Sequence, residues 1–195
     1  MSTQVCPLCK GEREQMVDCR ACWGTGALHN VGWATEPWTE IIPNLWVGGH
    51  DYNPHTFGPA HVVTQDDLDA AGFDVVVSLY QREEGPHFHT SPGDGRAHYT
   101  LAVPDDTVMG LYVDEIKAID HLSKQVASAV TERKKVLVRC QAGLNRSSLT
   151  AGLALVRMGY QPQRVIDMIR AKRSPFALFN QRFVEIILAQ SKEAS

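Results

Sequence analysis

Residues 136–148 read Val-Leu-Val-Arg-Cys-Gln-Ala-Gly-Leu-Asn-Arg-Ser-Ser, and this stretch decides the fold. Its three leading apolar residues predict a short buried strand, and the spacing of Leu149 and Leu153 predicts a helix that begins near Arg146. A tight loop must therefore join the strand to the helix. Such a loop can point several backbone N–H groups at one centre, at the positive end of a helix dipole. The stretch therefore predicts a cradle for an anion.

Two side chains of this loop have the chemistry and the spacing to act on a bound anion. The helix dipole and Arg146 both favour the thiolate form of Cys140. Five residues separate Cys140 from Arg146, so both can face one anion, and a guanidinium can hold two of its oxygens at once. Gly143 permits a backbone conformation that a tight loop can require. The alternative is a buried structural cysteine beside a helix that happens to start with arginine, and the accompanying glycine and hydroxyl residues disfavour it.

The rest of the chain alternates between apolar runs and amphipathic stretches. Thr64 with Asp67 resembles a capping box, and Gly72 can end the helix between them. Residues 82–97 carry glycine, proline and histidine without periodicity, which predicts an exposed loop. Strands are predicted at 41–49, 73–79, 98–103 and 136–138, and helices at 65–71, at 111–132, from Arg146, from Pro162 to Arg173, and after Asn180. This alternation predicts an α/β fold with a mostly parallel central sheet flanked by helices.

Length and composition exclude several classes of protein. The 195 residues suffice for one domain of ordinary size with a small appendage, and 44% of them are apolar. The net charge of -3, with acids and bases interspersed, argues against bulk binding of nucleic acid or of membrane surfaces. No apolar run approaches the roughly 18 residues of a membrane span, and the first residues lack the pattern of a secretory signal. We therefore expect a soluble, cytoplasmic protein.

Four cysteines near the start form two Cys-x2-Cys pairs, Cys6 with Cys9 and Cys19 with Cys22. Two such pairs can supply the four thiolates of a tetrahedral zinc site. A segment this short cannot bury a core, so zinc would supply its folding energy. We predict a zinc-binding module over residues 1–29 and a second domain over 30–195. The zinc is expected to be structural, because four thiolates leave no open position, and the module has a possible protein partner. A redox pair or incidental thiols are the alternatives.

Two resemblances extend these predictions. Each cysteine pair resembles the Cys-x-x-Cys-x-Gly-x-Gly repeat of the zinc region in DnaJ-type co-chaperones, although Glu12 and Arg13 interrupt the first repeat. Cys-x5-Arg-Ser after a Val-rich strand resembles the signature of the dual-specificity (tyrosine-type) protein phosphatases. This second resemblance extends over residues 41–190: residues 45–49 resemble an early strand of the family, 102–106 its acid loop, and 173–183 its closing Arg-x-x…Asn-x-x-Phe pattern.

The phosphatase resemblance implies a cysteine-phosphatase fold and hydrolysis of phosphomonoesters through a phosphocysteine intermediate, with no cofactor needed for catalysis. It implies that Cys140 is the nucleophile and that the hydroxyl of Ser147 helps the thiol to leave. It implies that Asp105 is the general acid, with Asp106 as the alternative. Asn180 resembles a residue that braces the loop, but it can equally cap a helix. The phosphate would be held by Arg146 and by the backbone of Gln141, Ala142, Gly143, Leu144 and Asn145.

Arg139 departs from the family, which usually has histidine just before the nucleophile, where it helps to order the loop and set the thiol. Arg139 can favour the thiolate through its charge, or it can point away into an ion pair. A second group of histidines, His87, His89 and His98, can suggest a metal site, although solvated side chains on a polar loop are the favoured interpretation.

The expected substrate follows from the loop interior. Residues 141–145 contain no lysine or arginine, whereas phosphoinositide phosphatases of the superfamily often place basic residues there. We therefore expect phosphotyrosine, and phosphoserine or phosphothreonine, in a phosphoprotein. Asn145 is similar to a residue of RNA 5′-triphosphatases, so that activity is one alternative, with nucleic acid disfavoured but not excluded. A phosphate-binding pseudophosphatase is the other alternative.

Overall fold

A computed structural model describes residues 4–5, 27–28, 34–52, 61–79, 88–89, 96–101, 103 and 113–190. The chain forms two compact units, Met1–Gly32 and Trp33–Ser195. In the first unit, strands β1 (Gln4–Val5) and β2 (Ala27–Leu28) pair antiparallel. The four cysteines predicted to bind zinc lie outside the described residues.

The second unit is built on a six-stranded sheet with the order β3-β4-β10-β7-β9-β8. Its four inner strands are mutually parallel, and an antiparallel strand lies at each edge. A separate antiparallel pair is formed by β5 and β6. The strands of the unit are β3 (Trp38–Ile42), β4 (Leu45–Gly49), β5 (Asp51–Tyr52), β6 (His61–Val62), β7 (Val75–Ser78), β8 (Phe88–His89), β9 (Ala97–Thr100) and β10 (Val136–Cys140).

In the part of the chain that the structure describes, five helices surround this sheet, and each begins close to its predicted start. They are α1 (Gln65–Ala71), α2 (Val113–Thr131), α3 (Arg146–Arg157), α4 (Pro162–Lys172) and α5 (Gln181–Ala189). The predicted capping box of Thr64 and Asp67 is present, and Gly72 ends α1 in the left-handed region with a φ of 67°. Within the described residues, none of the helices combines the length and apolar character that crossing a bilayer requires.

The sheet separates two hydrophobic cores. Alternate residues of β7 and β10 face opposite sides, because side chains alternate along a strand. Val136, Val138 and Cys140 join the larger core, which they share with residues of α2 to α5. Leu137 joins the smaller core, which includes Leu68 of α1. Both faces of the central strands are therefore covered, which explains why all five residues of β10 are buried.

Two predictions of the sequence were wrong in detail. The single strand predicted over 41–49 is a hairpin, because Asn44 adopts a positive φ of 71° after Pro43 and turns the chain between β3 and β4. The loop predicted over 82–97 contains β8, which pairs antiparallel with β9, and β9 itself begins at Ala97. A strand of two residues is too short to show a periodicity, so pattern alone did not reveal it.

Candidate active site

Residues 136–148 form a strand, a loop and the start of a helix, in the predicted order. β10 ends at Cys140 and α3 begins at Arg146, so the loop between them lies at the carboxyl end of a central parallel strand. Ligands of open α/β sheets bind at this end of the strands. Cys140 is buried, with 1% of its surface exposed, and its thiol forms no disulfide.

The carbonyl oxygens of the loop are held by groups from other parts of the chain. The N–H of His50 donates to the carbonyls of Cys140 and Gln141, each at 2.8 Å, and the N–H of Asp51 donates to Gln141 at 2.8 Å. The N–H of Leu178 donates to the carbonyl of Leu144 at 2.9 Å. These contacts keep the carbonyls on the outside of the loop, which is what a cradle of inward-pointing N–H groups requires.

Glycines allow the loop to lie directly against the end of β4. Gly143 has a φ of 69°, in the left-handed region that side chains disfavour. A Cβ at this position would lie 2.5 Å from the carbonyl oxygen of Gly48. A Cβ on Gly49 would lie 3.0 Å from the carbonyl oxygen of Gln141. The sequence predicted a need for glycine at 143, but it did not predict that two glycines of β4 form the surface on which the loop rests.

Ser147 lies next to the thiol. Its Oγ is 3.3 Å from the Sγ of Cys140, and both side chains are buried. Because either atom can be the donor, the hydroxyl can stabilise a thiolate by donating its proton to the sulfur. The structure therefore brings together the two residues that the sequence assigned to attack and to departure of the sulfur.

Arg146 is buried behind the loop and is bound to two backbone carbonyls. Its Nη1 donates to the carbonyl of Leu79 at 3.1 Å and to that of Val103 at 2.9 Å. Val103 is the second residue of the predicted acid loop of residues 102–106, so Arg146 contacts the start of that segment. Asp105 and Asp106 themselves lie outside the described residues.

Asn180 makes both of the contacts that the sequence left as alternatives. Its side-chain oxygen accepts from the N–H of Arg182 at 3.0 Å, so it caps α5. Its backbone N–H donates to the Oδ1 of Asn145 at 3.2 Å, so it also holds the last residue of the loop. Both asparagines are buried, which makes their contacts unavailable to competing water.

Arg173 is a site residue that the sequence placed only in a closing motif. Its Nε donates to the carbonyl of Gly143 at 3.1 Å, and its Nη1 donates to the carbonyl of Glu36 at 2.8 Å and to the Oγ1 of Thr39 at 3.2 Å. Burial lowers the pKa of Arg173 to about 10, against the opposing effects of Cys140 and Glu36. The guanidinium therefore stays charged at neutral pH and ties the loop to the segment before β3.

Arg139 points to the face of the sheet opposite Cys140. Its Nε donates to the Oγ of Ser78 at 2.9 Å, and this Oγ is 2.9 Å from the Nε2 of His98. His98 is thus half-buried and hydrogen-bonded, not a solvated loop residue as the sequence had favoured. His87 lies outside the described residues, and among the residues that the structure describes no cluster of three potential ligands could hold a metal ion.

No protein-family model and no curated protein matches the chain. Several solved structures are similar to the chain. A mouse putative dual specificity phosphatase complexed with zinc tungstate is 22% identical with a TM-score of 0.54, over 80% of this chain and 91% of that chain. Human DUSP28 is 19% identical with a TM-score of 0.57, over 80% and 96%. A human tyrosine phosphatase-like serine/threonine/tyrosine-interacting protein is 16% identical with a TM-score of 0.57, over 80% and 95%.

These similarities confirm the predicted α/β fold with its central sheet flanked by helices. One of the three proteins is phosphatase-like by name, so the fold alone does not decide whether a chain of this kind turns over a substrate. That question depends on the residues of the loop and on their geometry.

The close approach of Gly143 to Gly48 generates a first prediction. We expect Gly143→Ala to weaken binding of tungstate, an inorganic anion, at least about tenfold, because the added Cβ would push the loop away from Gly48 and the loss of one hydrogen bond to a charged group costs about 1.5–3 kcal/mol. Binding is measured by calorimetry on the full chain.

Gly72→Ala is the matched control. Gly72 has a similar φ of 67°, but a Cβ there would meet nothing within 4 Å. Its backbone strain of about 1–2 kcal/mol should lower the free energy of unfolding and leave tungstate affinity unchanged. Equal affinities in the wild type and both variants would contradict the role given to the glycine contact.

Proposed function

We propose that this protein is a cysteine-dependent phosphatase of the dual-specificity type that hydrolyses phosphomonoesters in phosphoproteins. The observation that carries the proposal is the 3.3 Å distance between the Cys140 Sγ and the Ser147 Oγ, at the base of a loop whose carbonyls are held outward. Displacement at phosphorus requires a nucleophile, here a thiolate, and donors such as N–H groups that face the phosphoryl oxygens. A hydroxyl beside the sulfur helps the thiolate to leave.

The reaction takes place in two displacements at phosphorus. In the first, the Cys140 thiolate forms an S–P bond as the bond from phosphorus to the leaving oxygen breaks, and Asp105 protonates that oxygen. In the second, water attacks phosphorus, the resulting carboxylate of Asp105 takes its proton, and the S–P bond breaks. The Ser147 hydroxyl then stabilises the thiolate that leaves. Arg146 and the loop N–H groups hold the phosphoryl oxygens in both steps.

The proposed substrates are phosphotyrosine and phosphoserine or phosphothreonine side chains. The loop interior of residues 141–145 adds no lysine or arginine to Arg146, so it is suited to a single phosphate rather than a highly charged headgroup. The names of the structural neighbours agree with a protein substrate. No described contact favours a triphosphorylated RNA end. The cytoplasmic location stays a prediction of the sequence.

We further propose that Cys6, Cys9, Cys19 and Cys22 hold one structural zinc ion, and that the module serves to bind a partner protein. The donor set supports this, because four thiolates in two Cys-x2-Cys pairs match the coordination that zinc prefers in structural sites. The ion would stabilise the fold of the short first unit. It would take no part in phosphate hydrolysis.

The proposed activity is tested with an aryl phosphate between about pH 5 and 7. Cys140→Ser should have no turnover and should keep its affinity for phosphate. Ser147→Ala should release the phenol in a burst, after which its steady-state turnover should be about 10- to 100-fold slower than that of the wild type. The reason is that the sulfur loses a stabilising donor, so the phosphocysteine accumulates.

Ser148→Ala is the matched control for Ser147→Ala. Ser148 is the next residue of α3 and is equally buried, but its hydroxyl has no hydrogen-bond partner among the residues that the structure describes. We expect it to turn over at the wild-type rate without a burst. If the reduced, zinc-loaded wild type is inactive, the proposed phosphatase activity is wrong and a pseudophosphatase is favoured. If triphosphorylated RNA is hydrolysed faster than phosphopeptides, the proposed protein substrate is wrong.

The choice between the two candidate acids yields a separate prediction. Asp105→Asn should lower kcat for an alkyl phosphate about 100-fold or more, because an alkoxide needs a proton as it leaves. The loss should be much smaller for an activated aryl phosphate, whose leaving group is stable as an anion. Asp106→Asn serves as the neighbouring control and should retain activity on both substrates. The reverse pattern would assign the acid to Asp106.

The zinc proposal predicts close to one equivalent of zinc in the full chain after gentle purification. Cys6→Ser and Cys19→Ser should each lower the bound zinc, whereas Cys140→Ser should keep it, because Cys140 belongs to the other unit. The content is measured by elemental analysis of reduced protein. Zinc-free wild type, or zinc lost only in Cys140→Ser, would contradict the four-cysteine site.

A further inference from the structure

Three polar side chains form a hydrogen-bonded series across the face of the sheet that lies opposite Cys140. Arg139 is on β10, Ser78 on β7 and His98 on β9, which are neighbouring parallel strands. The Arg139 Nε lies 2.9 Å from the Ser78 Oγ, and this Oγ lies 2.9 Å from the His98 Nε2. The nucleophile's strand is thus linked by side chains to the strand that precedes the predicted acid loop.

The register of the strands explains why an arginine fits beside the nucleophile. Arg139 pairs with Gly48 on one side and with Ser78 on the other. Gly48 has no side chain, and serine has a small one, so the row has space for a guanidinium. Only 6% of Arg139 is exposed and Ser78 is buried as well, so their hydrogen bond is shielded from solvent.

The hydrogen bonds of this series meet at the Ser78 oxygen. Arginine can only donate, so the Ser78 Oγ accepts from Arg139. A serine hydroxyl has one proton and two acceptor positions, so it can donate to the Nε2 of His98 or accept from it, according to the tautomer of the imidazole. Ser78 therefore links Arg139 to His98 in either tautomer.

The same strands also hold the anion-binding arginine. The carbonyls of Leu79 and Val103, which follow β7 and β9, both accept from Arg146. The N–H of Leu79 in turn donates to the carbonyl of Arg139 at 2.8 Å. A shift of the three strands against one another would therefore move both the nucleophile and the residue that clamps the phosphate.

We propose that Ser78 and His98 are positioning residues that fix Arg139, and through it the strand end that carries Cys140. His98 acts from β9, across the sheet, in the part that the resembled family gives to a histidine directly before the nucleophile. The inference rests on the proposed function for its meaning in catalysis, but the position of the thiol can be measured without turnover.

The test is the rate at which iodoacetate alkylates Cys140 in the full chain, read by mass spectrometry on the peptide that contains Cys140. His98→Ala and Ser78→Ala should each slow alkylation about tenfold, and the double variant should be no slower than either, because residues that act as one unit are not additive. His98→Gln should stay within about twofold of wild type, because its amide can replace the bond to Ser78 as an acceptor or as a donor. With an aryl phosphate, kcat should fall in parallel while KM changes little.

His121→Ala is the control, since His121 is an exposed histidine of α2. All rates are taken well below the unfolding temperature of each variant, and if Ser78→Ala does not fold, the contrast between His98→Ala and His98→Gln decides. The proposal would be overturned if His98→Ala is alkylated at the wild-type rate, or if His98→Gln loses as much rate as His98→Ala. It would also be overturned if the rate losses of the two single variants multiply in the double variant. An inactive wild type whose alkylation follows the expected pattern would reject the proposed function and retain the positioning role.

Discussion

A loop that receives an anion on its backbone N–H groups must keep its carbonyl oxygens on the other side, and this requirement organises the second unit. Three separate parts of the chain supply the partners of those carbonyls: the residues after β4, the residue Leu178 before α5, and Arg173 at the end of α4. In addition, β4 lies directly against Gly143. None of these contacts is local to the loop. The cradle therefore exists only when the sheet and the last two helices are assembled.

Buried cations surround the loop, and their contacts follow from the cost of burying charge. A guanidinium removed from water must recover its hydrogen bonds within the protein. Arg146 donates to two backbone carbonyls, and Arg173 donates to carbonyls and a hydroxyl. Carbonyl partners orient a guanidinium but do not neutralise it, so its field can still act on a bound anion. In this way the arginines around the loop can be hydrogen-bonded to the protein and remain positively charged.

Local sequence was sufficient to predict some elements of the structure and insufficient to predict others. The capping box of Thr64 and Asp67 and the start of α3 at Arg146 depend on residues within one helical turn, so both were predicted correctly. The turn at Asn44 was missed because the apolar run on both sides of it resembles one strand. Arg173 was recognised as part of a motif, but its contact with Gly143 depends on packing between α4 and the loop, which no local pattern encodes.

Arg139, the residue before the proposed nucleophile, shows the same limit of local sequence. The sequence allows Arg139 either to act on the thiol or to point away from it. The register of β10 with β7 decides its surroundings, because that register sets Ser78 beside it. A one-residue slip would place an apolar core position there instead. Arginine differs from histidine in having donors only, so a buried arginine needs an acceptor as its neighbour. Serine meets that need and also bonds to His98, so Arg139 is joined to the two neighbouring strands on the face of the sheet opposite the thiol.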